Sequence, residues 1–441
     1  MDFIADKQTL EDLNLMGKYK PGSIYSLFNR VKTDGGERLL QDMFQNPLMD
    51  AGKINQRSGI FQYFQHKQLI CPLDMESFRI VENYLALGTS TNPVAGILGL
   101  LRKKASAVLL RDEEYERLQL GLFTSVEVLK TLHSFWKTLG DWNENHPYKD
   151  EQQRVNAILL DERLAHLLTQ TNENQVSIMR IAQADYLLRH TLRKEMQELL
   201  EHIYRLDVYI AVAEVAGEKG LCYARAFPKA HNCYRTTALW HPSLKNPVAN
   251  PLAFDKALNL LFLTGANMAG KSTFMKAFGI SIYLAHMGFP VAASNMEFSI
   301  KDGIYSSVNV ADNLNLGLSH FYAEVLRVKL VAEAVASGKN LIVIFDELFK
   351  GTNVKDAYDG TLAVSQAFAK YRNCFFVVST HIIEVGDALK EKADHISLAY
   401  LPTVMEGNKP KYTYQLEQGI SSDRQGMLII KNEGILELIG K

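Results

Sequence analysis

The chain has 441 residues, more than one hydrophobic core usually accommodates, so we expect two or three domains. Hydrophobic residues make up 47% and charged residues 22%, as in an ordinary soluble globular protein. The 48 basic and 49 acidic residues leave no basic excess that would by itself indicate nucleic-acid binding. There is no apolar run of membrane-spanning length, no signal-peptide pattern and no zinc or disulfide spacing among the four cysteines, which predicts a cytoplasmic protein.

The first half of the chain is predicted to be helical. Proline and glycine, the residues that break helices, are absent between Tyr148 and Ala216. Apolar residues recur at helical spacing from Met196 to Val212. Half of this stretch as a single helix would measure about 50 Å, the length of a strut. Taken alone, the stretch is typical of an inactive coiled-coil-like hairpin.

The second half alternates between strand-like and helix-like segments. Three apolar runs, Leu258–Thr264, Lys339–Asp346 and Cys374–Thr380, have the composition of buried parallel strands. Helices are predicted between them, over Phe274–Met287 and Phe321–Ser337. This βαβ pattern places polar residues at the carboxyl ends of the strands, where open α/β sheets bind ligands.

Two more strands are predicted downstream, over Ile396–Val404 and Tyr412–Leu416. The change of pattern indicates a domain boundary near residue 235. We therefore predict a fold of the α + α/β class, with an all-α domain over residues 1–235 and an α/β domain with a mostly parallel sheet over residues 236–441.

Gly265–Ser272 fits the phosphate-binding pattern G-x-x-x-x-G-K-[ST] at every fixed position, between a predicted strand and a predicted helix. Glycines let such a loop fold around phosphate oxygens, and the helix N-terminus supplies positive potential. Lys271 is predicted to reach the β- and γ-phosphates of ATP, and the Ser272 hydroxyl to hold Mg²⁺. The predicted nucleotide-binding residues are Gly265, Ala266, Asn267, Met268, Ala269, Gly270, Lys271, Ser272 and Thr273.

A second motif, Leu341–Glu347, is an apolar run that ends in two acids, as a Walker B strand does. Asp346 is predicted to bind the hydrated Mg²⁺, and Glu347 to polarise the attacking water, which indicates hydrolysis rather than nucleotide storage. The next apolar run ends at His381, where a histidine can contact the γ-phosphate. We therefore predict Glu347 and His381 as catalytic residues.

These motifs resemble the MutS DNA mismatch-repair family. Thr264–Thr273 is similar to the MutS P-loop, in which the asparagine-methionine pair is distinctive. Asp346–Asn353 resembles the MutS Walker B and the loop behind it, and Ser379–His381 resembles the switch histidine motif. Ser23–Phe64 is similar to the start of the MutS core or lever domain. The resemblance spans most of the chain.

The resemblance implies an ABC-type ATPase that works as a dimer, in which a serine of one subunit reaches the γ-phosphate held by the other. Asp312–Glu324 resembles that element, with Ser319 as the serine and His320 in place of the usual threonine. The resemblance also implies that Val248 and Tyr414 enclose the adenine. The alternative, that both are ordinary core residues, is left open by the sequence.

The sequence also departs from the MutS pattern. Ala266 and Ala269 replace a proline and a glycine, which should leave phosphate binding intact, whereas Phe349-Lys350 replaces glycine-arginine behind the Walker B strand. Neither the mismatch-reading domain nor the β-rich insertion that carries the DNA clamp is recognised, and the chain stops before the usual dimerising helices. We therefore expect weak or absent mismatch discrimination by this chain alone.

Two functions are consistent with these motifs. The first is an ATP-dependent clamp or sensor of MutS type, most simply a homodimer, that binds mismatched, branched or distorted DNA. The second is an ATPase module that acts on a nucleoprotein assembly or through a partner protein. Candidate DNA contacts are the clusters Arg102-Lys103-Lys104 and Arg189, Arg193 and Lys194, although such clusters are commonly solvated helix faces. A transporter ATPase is disfavoured by the long helical first half.

Overall fold

The structure is a computed structural model that describes residues 2–17, 22–72, 74–87, 98–99, 102–103, 113–139, 146–170, 177–308, 320–392, 395–406, 409–421 and 438–439. The chain forms two compact units. The sheet unit comprises residues 1–28, 43–59 and 215–441, and the helical unit comprises residues 29–42 and 60–214. The sheet unit thus contains two stretches from the first 60 residues. The division at residue 235 stays a prediction about functional domains.

Helices make up most of the first half. Along the described chain they are α1 Lys7–Asp12, α2 Ile24–Phe28, α3 Asp34–Gln45, α4 Ala51–Lys67, α5 Met75–Ala86, α6 Glu114–Thr138, α7 Lys149–Leu159, α8 Glu162–Gln170, α9 Ile178–Tyr186, α10 Arg193–Lys219, α11 Lys271–His286, α12 His320–Ala336, α13 Val354–Ala369 and α14 Ile383–Lys392. A π-helical turn, Leu187–Thr191, and a 3-10 turn, Lys229–His231, complete the set. The predicted helical character of the first half is confirmed.

The predicted strut is broken into several helices even though it lacks proline and glycine. The longest piece, α10, has 27 residues and measures about 40 Å. Two of the breaks fall at residues that cap the N-terminus of the next helix. The Asp161 side chain accepts a hydrogen bond from the backbone NH of Arg163, and the Ser177 hydroxyl accepts one from the NH of Arg180. Short polar side chains, rather than helix breakers, therefore set these boundaries.

Inside the helical unit, a buried carboxylate fixes the start of α3. Both oxygens of Asp207 accept the NH of Lys32, and Oδ2 accepts the NH and hydroxyl of Thr33 at 2.7 and 2.8 Å. Burial raises the pKa of Asp207, and these hydrogen bonds oppose the shift. Gly35 is required in the same turn, because a Cβ there would lie 2.2 Å from the Tyr204 ring.

One proposed DNA-contacting residue does not reach the surface. The Arg189 side chain is 6% exposed and donates to both carboxylate oxygens of Asp185, at 2.5 and 2.6 Å. The Tyr84 hydroxyl donates to the same carboxylate at 2.8 Å. Arg189 is therefore part of a buried ion pair, and its assignment to a basic surface cluster was wrong. Arg193 and Lys194 are exposed.

The sheet unit is built on a seven-stranded sheet. Its strands along the chain are β1 Ile4–Ala5, β2 Cys222–Tyr223, β3 Arg225–Phe227, β4 Tyr234–Leu239, β5 Asn250–Phe254, β6 Leu260–Gly265, β7 Pro290–Val291, β8 Glu297–Ser299, β9 Gly303–Ser307, β10 Leu341–Phe345, β11 Phe375–Ser379, β12 Ile396–Leu401, β13 Thr403–Glu406, β14 Lys409–Tyr412 and β15 Glu417–Gln418. The main sheet has the order β1-β9-β10-β11-β6-β12-β15, and only the β12–β15 pair is antiparallel.

The three predicted apolar strands lie side by side in this sheet as β10, β11 and β6, each fully buried. The fold class, α + α/β with a mostly parallel sheet, is confirmed. The strand predicted over Tyr412–Leu416 is misplaced, because the strand is Lys409–Tyr412 and the backbone turns at Tyr414, whose φ is 58°. Within the described residues, no helix is long and apolar enough to cross a membrane.

The first residues of the chain belong to the edge of the sheet. β1 pairs in parallel with β9, and α1 lies next to it. Asp12 of α1 accepts from the hydroxyl of Ser306 at 2.8 Å and from the NH of Val308 at 2.9 Å. Arg327 of α12, 8% exposed, donates to the Asp6 carboxylate and to the carbonyl of Ser306. Neither the strand nor this buried network was predicted.

Candidate functional site

The P-loop joins β6, an interior strand of the sheet, to helix α11. Gly265 ends β6 with φ 140°, and Gly270 caps α11 with φ 103°, both in the region that favours glycine. A Cβ on Gly265 would lie 3.1 Å from the carbonyl oxygen of Leu401. At the start of α11 the first backbone NH groups have no partners within the helix, so they are available to bind an anion.

Lys271 lies at the start of α11 and is buried, with 5% exposure. Its ammonium donates to the carbonyl oxygens of Gly265 and Ala266, at 2.8 and 3.2 Å. The ammonium therefore lies against the P-loop, where it is predicted to bind phosphate. Burial lowers the pKa of Lys271, and the negative charges of Glu347 and Asp346 oppose that shift. Two backbone carbonyls thus hold a cation at the P-loop, within electrostatic reach of two acidic side chains from another motif.

Asp346 connects all three motifs. It follows β10, and one carboxylate oxygen accepts from the Ser272 hydroxyl at 2.5 Å while the other accepts from the Ser379 hydroxyl at 2.5 Å. Ser272 follows β6 through the P-loop, and Ser379 ends β11. Because these strands are parallel neighbours, their carboxyl ends bring the three side chains together. A hydroxyl and a carboxylate in contact are the hard oxygen donors that Mg²⁺ prefers, so the residues fit this ion.

Glu347 is held in a strained turn directly after Asp346. Its φ is 53°, an uncommon conformation for a non-glycine residue, and its NH donates to the Ser379 hydroxyl at 3.1 Å. Nδ1 of His381 lies 3.9 Å from Oε1 of Glu347. Interaction with His381 lowers the pKa of Glu347, with smaller contributions from Lys271 and Lys350, while burial opposes the shift. The carboxylate is therefore ionised at neutral pH and able to accept a proton.

A cavity of about 420 Å³ lies beside the P-loop. It is lined by Val248, 38% exposed, and Tyr414, 46% exposed, together with P-loop residues Met268 to Gly270. Asn250 joins its walls: the side-chain amide donates to the carbonyl of Tyr414 at 2.9 Å and accepts from the NH of Leu416 at 2.6 Å. Val248 and Tyr414 thus share an accessible cavity beside the P-loop. Their contact with adenine stays a prediction.

Phe349 shows why the family pattern has a glycine at this position. Its φ is 61°, in the region that favours glycine, yet its side chain is buried against Gly360. A Cβ on Gly360 would lie 2.9 Å from the Phe349 ring, and the Phe321 ring lies 6.0 Å away between centroids. Packing against these two residues holds the loop behind Asp346 in this conformation.

Most of the predicted site residues therefore come together at one edge of the sheet. The P-loop, Asp346, Glu347 and His381 converge, and Val248 and Tyr414 flank them. Ser319 lies outside the described residues, as does most of the segment that resembles the trans element. Two residues were given no role in the prediction: Ser379, which bonds both Asp346 and Glu347, and Asn250. Ser379 is part of the histidine motif that the sequence showed, but the sequence did not show that it contacts Asp346 and Glu347.

A P-loop at the end of an interior parallel strand, with an acid-terminated strand two positions away in the same sheet, defines a P-loop nucleotide-binding protein. Comparison with protein families narrows this class. Residues 8–216 match the family description MutS domain III, and residues 261–439 match MutS domain V. The chain belongs to the MutS family.

Individual relatives agree with this assignment. The DNA mismatch repair protein MutS of Leuconostoc citreum is 23% identical over 526 aligned residues, covering 99% of this chain and 60% of the relative. MutS of Thermus thermophilus is 35% identical over 202 residues, 45% of this chain and 24% of the relative. The DNA mismatch repair protein spellchecker 1 of Drosophila melanogaster is 29% identical over 197 residues, 43% of this chain and 21% of the relative.

The chain spans about 60% of the length of the Leuconostoc relative. Their alignment of 526 residues is longer than the 441 residues of this chain, so the relative carries stretches within the aligned range that have no counterpart here. Within the described residues 146–170 and 177–216, the chain is helical throughout or nearly so and contains no strand. A β-rich insertion in that part of the chain is therefore absent from the residues that the structure describes.

Proposed function

We propose that this protein binds and hydrolyses ATP with Mg²⁺ at the edge of the sheet where β6, β10 and β11 end. The observation that carries the proposal is the contact of Asp346 with both Ser272 and Ser379, with Glu347 next in sequence and Lys271 buried beside them. Ser272 and Asp346 would hold Mg²⁺, which when bound neutralises charge on the phosphates. We propose the cytoplasm, where ATP is available, as the place where the protein acts.

Each protein group has a distinct task in this proposal. The amides of Gly265–Thr273 and the Lys271 ammonium bind the phosphates, and Val248 and Tyr414 enclose the base. Glu347, whose pKa is lowered chiefly by His381, accepts a proton from the attacking water. His381, with a half-exposed side chain, is free to turn from Glu347 toward a terminal phosphate. Variants of Glu347 and Lys271 test this assignment.

We further propose that hydrolysis takes place at composite sites in a homodimer, with Ser319 of one subunit facing the P-loop of the other. A mixed dimer of one Lys271→Ala subunit and one Ser319→Ala subunit tests this, with two affinity tags to isolate it. If sites form between subunits, both changes fall in one site and the other stays intact. We then expect about half of the wild-type hydrolysis rate, as one of two independent sites would give.

The two parent homodimers are the controls, because each carries a defect in both sites and should be nearly inactive. Hydrolysis near zero in the mixed dimer as well would reject sites built from two subunits. ATP binding by the Ser319→Ala homodimer should stay within about twofold of wild type, roughly 0.4 kcal/mol. ATP affinity should change little because Ser319 would contact the nucleotide bound by the partner subunit.

DNA is the proposed target. The support is family membership and the printed names of the relatives, which are DNA mismatch repair proteins. Mismatched, branched or otherwise distorted duplex is the substrate class we propose. Exposed cations for backbone contacts include Arg193 and Lys194, whereas Arg189 is buried and Lys103 is paired with Glu114 at 3.1 Å.

The DNA proposal predicts binding that depends on shape and salt. In a competition titration at fixed salt, we expect the 441-residue chain to bind matched and single-mismatch duplexes with similar affinity and a four-way junction more tightly. Contacts to the backbone position a protein without reading bases, and added salt weakens them steeply. A tenfold preference for the mismatch, about 1.4 kcal/mol, would show that this chain contains a mismatch reader.

The alternative is a MutS-like ATPase that acts on a nucleoprotein assembly or through a partner protein. The balanced charge and the burial of Arg189 favour it. Weak, salt-independent binding to all three DNA forms, together with normal ATP hydrolysis, would support this second function over the first.

A further inference from the structure

A second cavity, of about 550 Å³, lies at the amino ends of the sheet strands, whereas the P-loop lies at their carboxyl ends. Asn340 comes directly before β10, Asn373 lies just before β11, and Lys256 lies just before β6, and all three line it. In a parallel sheet these are the amino ends of the strands, whereas Asp346 and the P-loop follow the carboxyl ends. The cavity is therefore remote from the proposed ATP site and plays no part in it.

The lining of this cavity is strongly cationic. Four of its residues carry a positive charge and none carries a negative one; the cations are Lys229, Lys256, Lys370 and Arg372. Lys229 forms an ion pair with Asp302. For Lys256, Lys370 and Arg372, the part of the chain that the structure describes supplies no carboxylate within 4.0 Å. Three cations without a carboxylate partner among the described residues thus face one space, Lys256 from the loop before β6 and Lys370 and Arg372 from the loop before β11.

The floor of the cavity is a fixed polar network with a further cation behind it. Lys301 is 1% exposed, and its ammonium donates to Oδ1 of Asn232 at 2.8 Å and to the carbonyl of Asn373 at 2.9 Å. Asn232 in turn donates to the carbonyl of Arg372 at 2.7 Å. The Phe375 ring centroid lies 3.4 Å from the Lys301 ammonium. Both asparagines line the cavity, so the buried ammonium lies directly beneath it.

This arrangement differs from a solvated basic surface in two ways. First, hydrogen bonds join the segments that carry the cations, so their spacing is set before any ligand arrives: Asn232 donates to the carbonyl of Arg372, and the Arg372 guanidinium donates to the carbonyl of Ala257, next to Lys256. Second, a buried ammonium without a carboxylate in contact is costly unless negative charge is supplied nearby. Burial lowers the pKa of Lys301 to about 7, and an anion in the cavity would favour its charged form.

We propose that this cavity binds a phosphate group, through Lys256, Lys370 and Arg372, as an anion site separate from the P-loop. Arginine matches phosphate geometry through paired N–H groups, and lysine supplies a mobile point charge. The phosphate belongs either to a nucleic-acid backbone or to a free phosphate compound. The inference stands on this cavity alone and does not require ATP hydrolysis elsewhere in the chain.

A matched pair of double variants tests the site. Lys256→Gln/Lys370→Gln removes two charges from the cavity, and Lys355→Gln/Lys390→Gln removes two from exposed positions on α13 and α14. Each protein is titrated with a 30-base-pair duplex at several salt concentrations and, separately, with inorganic pyrophosphate in saturating ADP to occupy the P-loop. Unchanged melting temperature and ATP hydrolysis rate show that the fold and the P-loop are intact.

If the ligand is a nucleic-acid backbone, duplex affinity falls at least fivefold in the cavity variant, and the slope of log K against log salt drops by about two. If it is a free phosphate compound, pyrophosphate binding is lost and duplex affinity does not change. The control variant should match wild type in both titrations. Equal binding of both probes by wild type, cavity variant and control, or no binding of either probe by wild type, overturns the proposal.

Discussion

Glu347→Gln is expected to lower ATP turnover at least 100-fold, about 2.7 kcal/mol of barrier, while ATP affinity stays within threefold of wild type. The side chain follows the Mg²⁺-binding candidate Asp346, and its pKa is lowered chiefly by His381, so it is ionised at neutral pH. Glutamine has the same shape but cannot accept a proton from water. Because the NH of residue 347 still donates to Ser379, the turn itself should be unaffected.

Turnover is measured as steady-state phosphate release, and affinity by calorimetry with ATP and Mg²⁺. Glu384→Gln is the matched control, since Glu384 is exposed on α14, three residues after His381, and makes the same charge change. The control should hydrolyse ATP at the wild-type rate. A Glu347→Gln rate within twofold of wild type would remove Glu347 as the general base and leave the water to another group.

Lys271→Ala is expected to weaken ATP binding at least 100-fold, about 2.7 kcal/mol. The ammonium is buried at the start of α11 and donates hydrogen bonds to the Gly265 and Ala266 carbonyls. Without it, phosphate charge in a poorly solvated site is compensated only by backbone amides and Mg²⁺. Calorimetry and the ATP-induced rise in melting temperature both measure the loss.

The removal of a buried side chain can also disturb the loop, so Lys271→Met serves as a second variant that keeps the aliphatic stem and removes only the charge. Lys390→Ala on α14 is the control for loss of an exposed lysine. We expect both Lys271 variants to lose the ATP-induced shift and the control to retain it. Retention of wild-type affinity by Lys271→Met would contradict the P-loop assignment.

The parts of the fold that sequence predicts well are local. Buried parallel strands are contiguous apolar runs, so β6, β10 and β11 were predicted nearly at their true bounds. The motifs that follow them were predicted as neighbours because carboxyl ends of parallel strands share an edge. What the residues could not show is strand order: only the placement of β11 between β10 and β6 brings Ser379 onto Asp346.

The parts that sequence missed depend on partners far along the chain. Helicity from residue 148 to 216 was predicted correctly, but the breaks are set by single polar caps such as Asp161 and Ser177. In addition, the sequence alone does not distinguish a solvated charged residue from a buried one. Arg189 is buried because Asp185 lies one helical turn before it and Tyr84 comes from another helix.

The edge strand β1 has a consequence for how the protein is made and handled. The backbone NH of Ser306 donates a hydrogen bond to the Thr9 hydroxyl, 297 residues earlier in the chain. During synthesis, the N-terminal segment therefore stays without its partner strand for about 15 to 60 s. A fragment that starts near residue 22 would present β9 as an open edge and leave the buried guanidinium of Arg327 without Asp6. Such a fragment should aggregate, and co-expression with a peptide of residues 2–17 should rescue it.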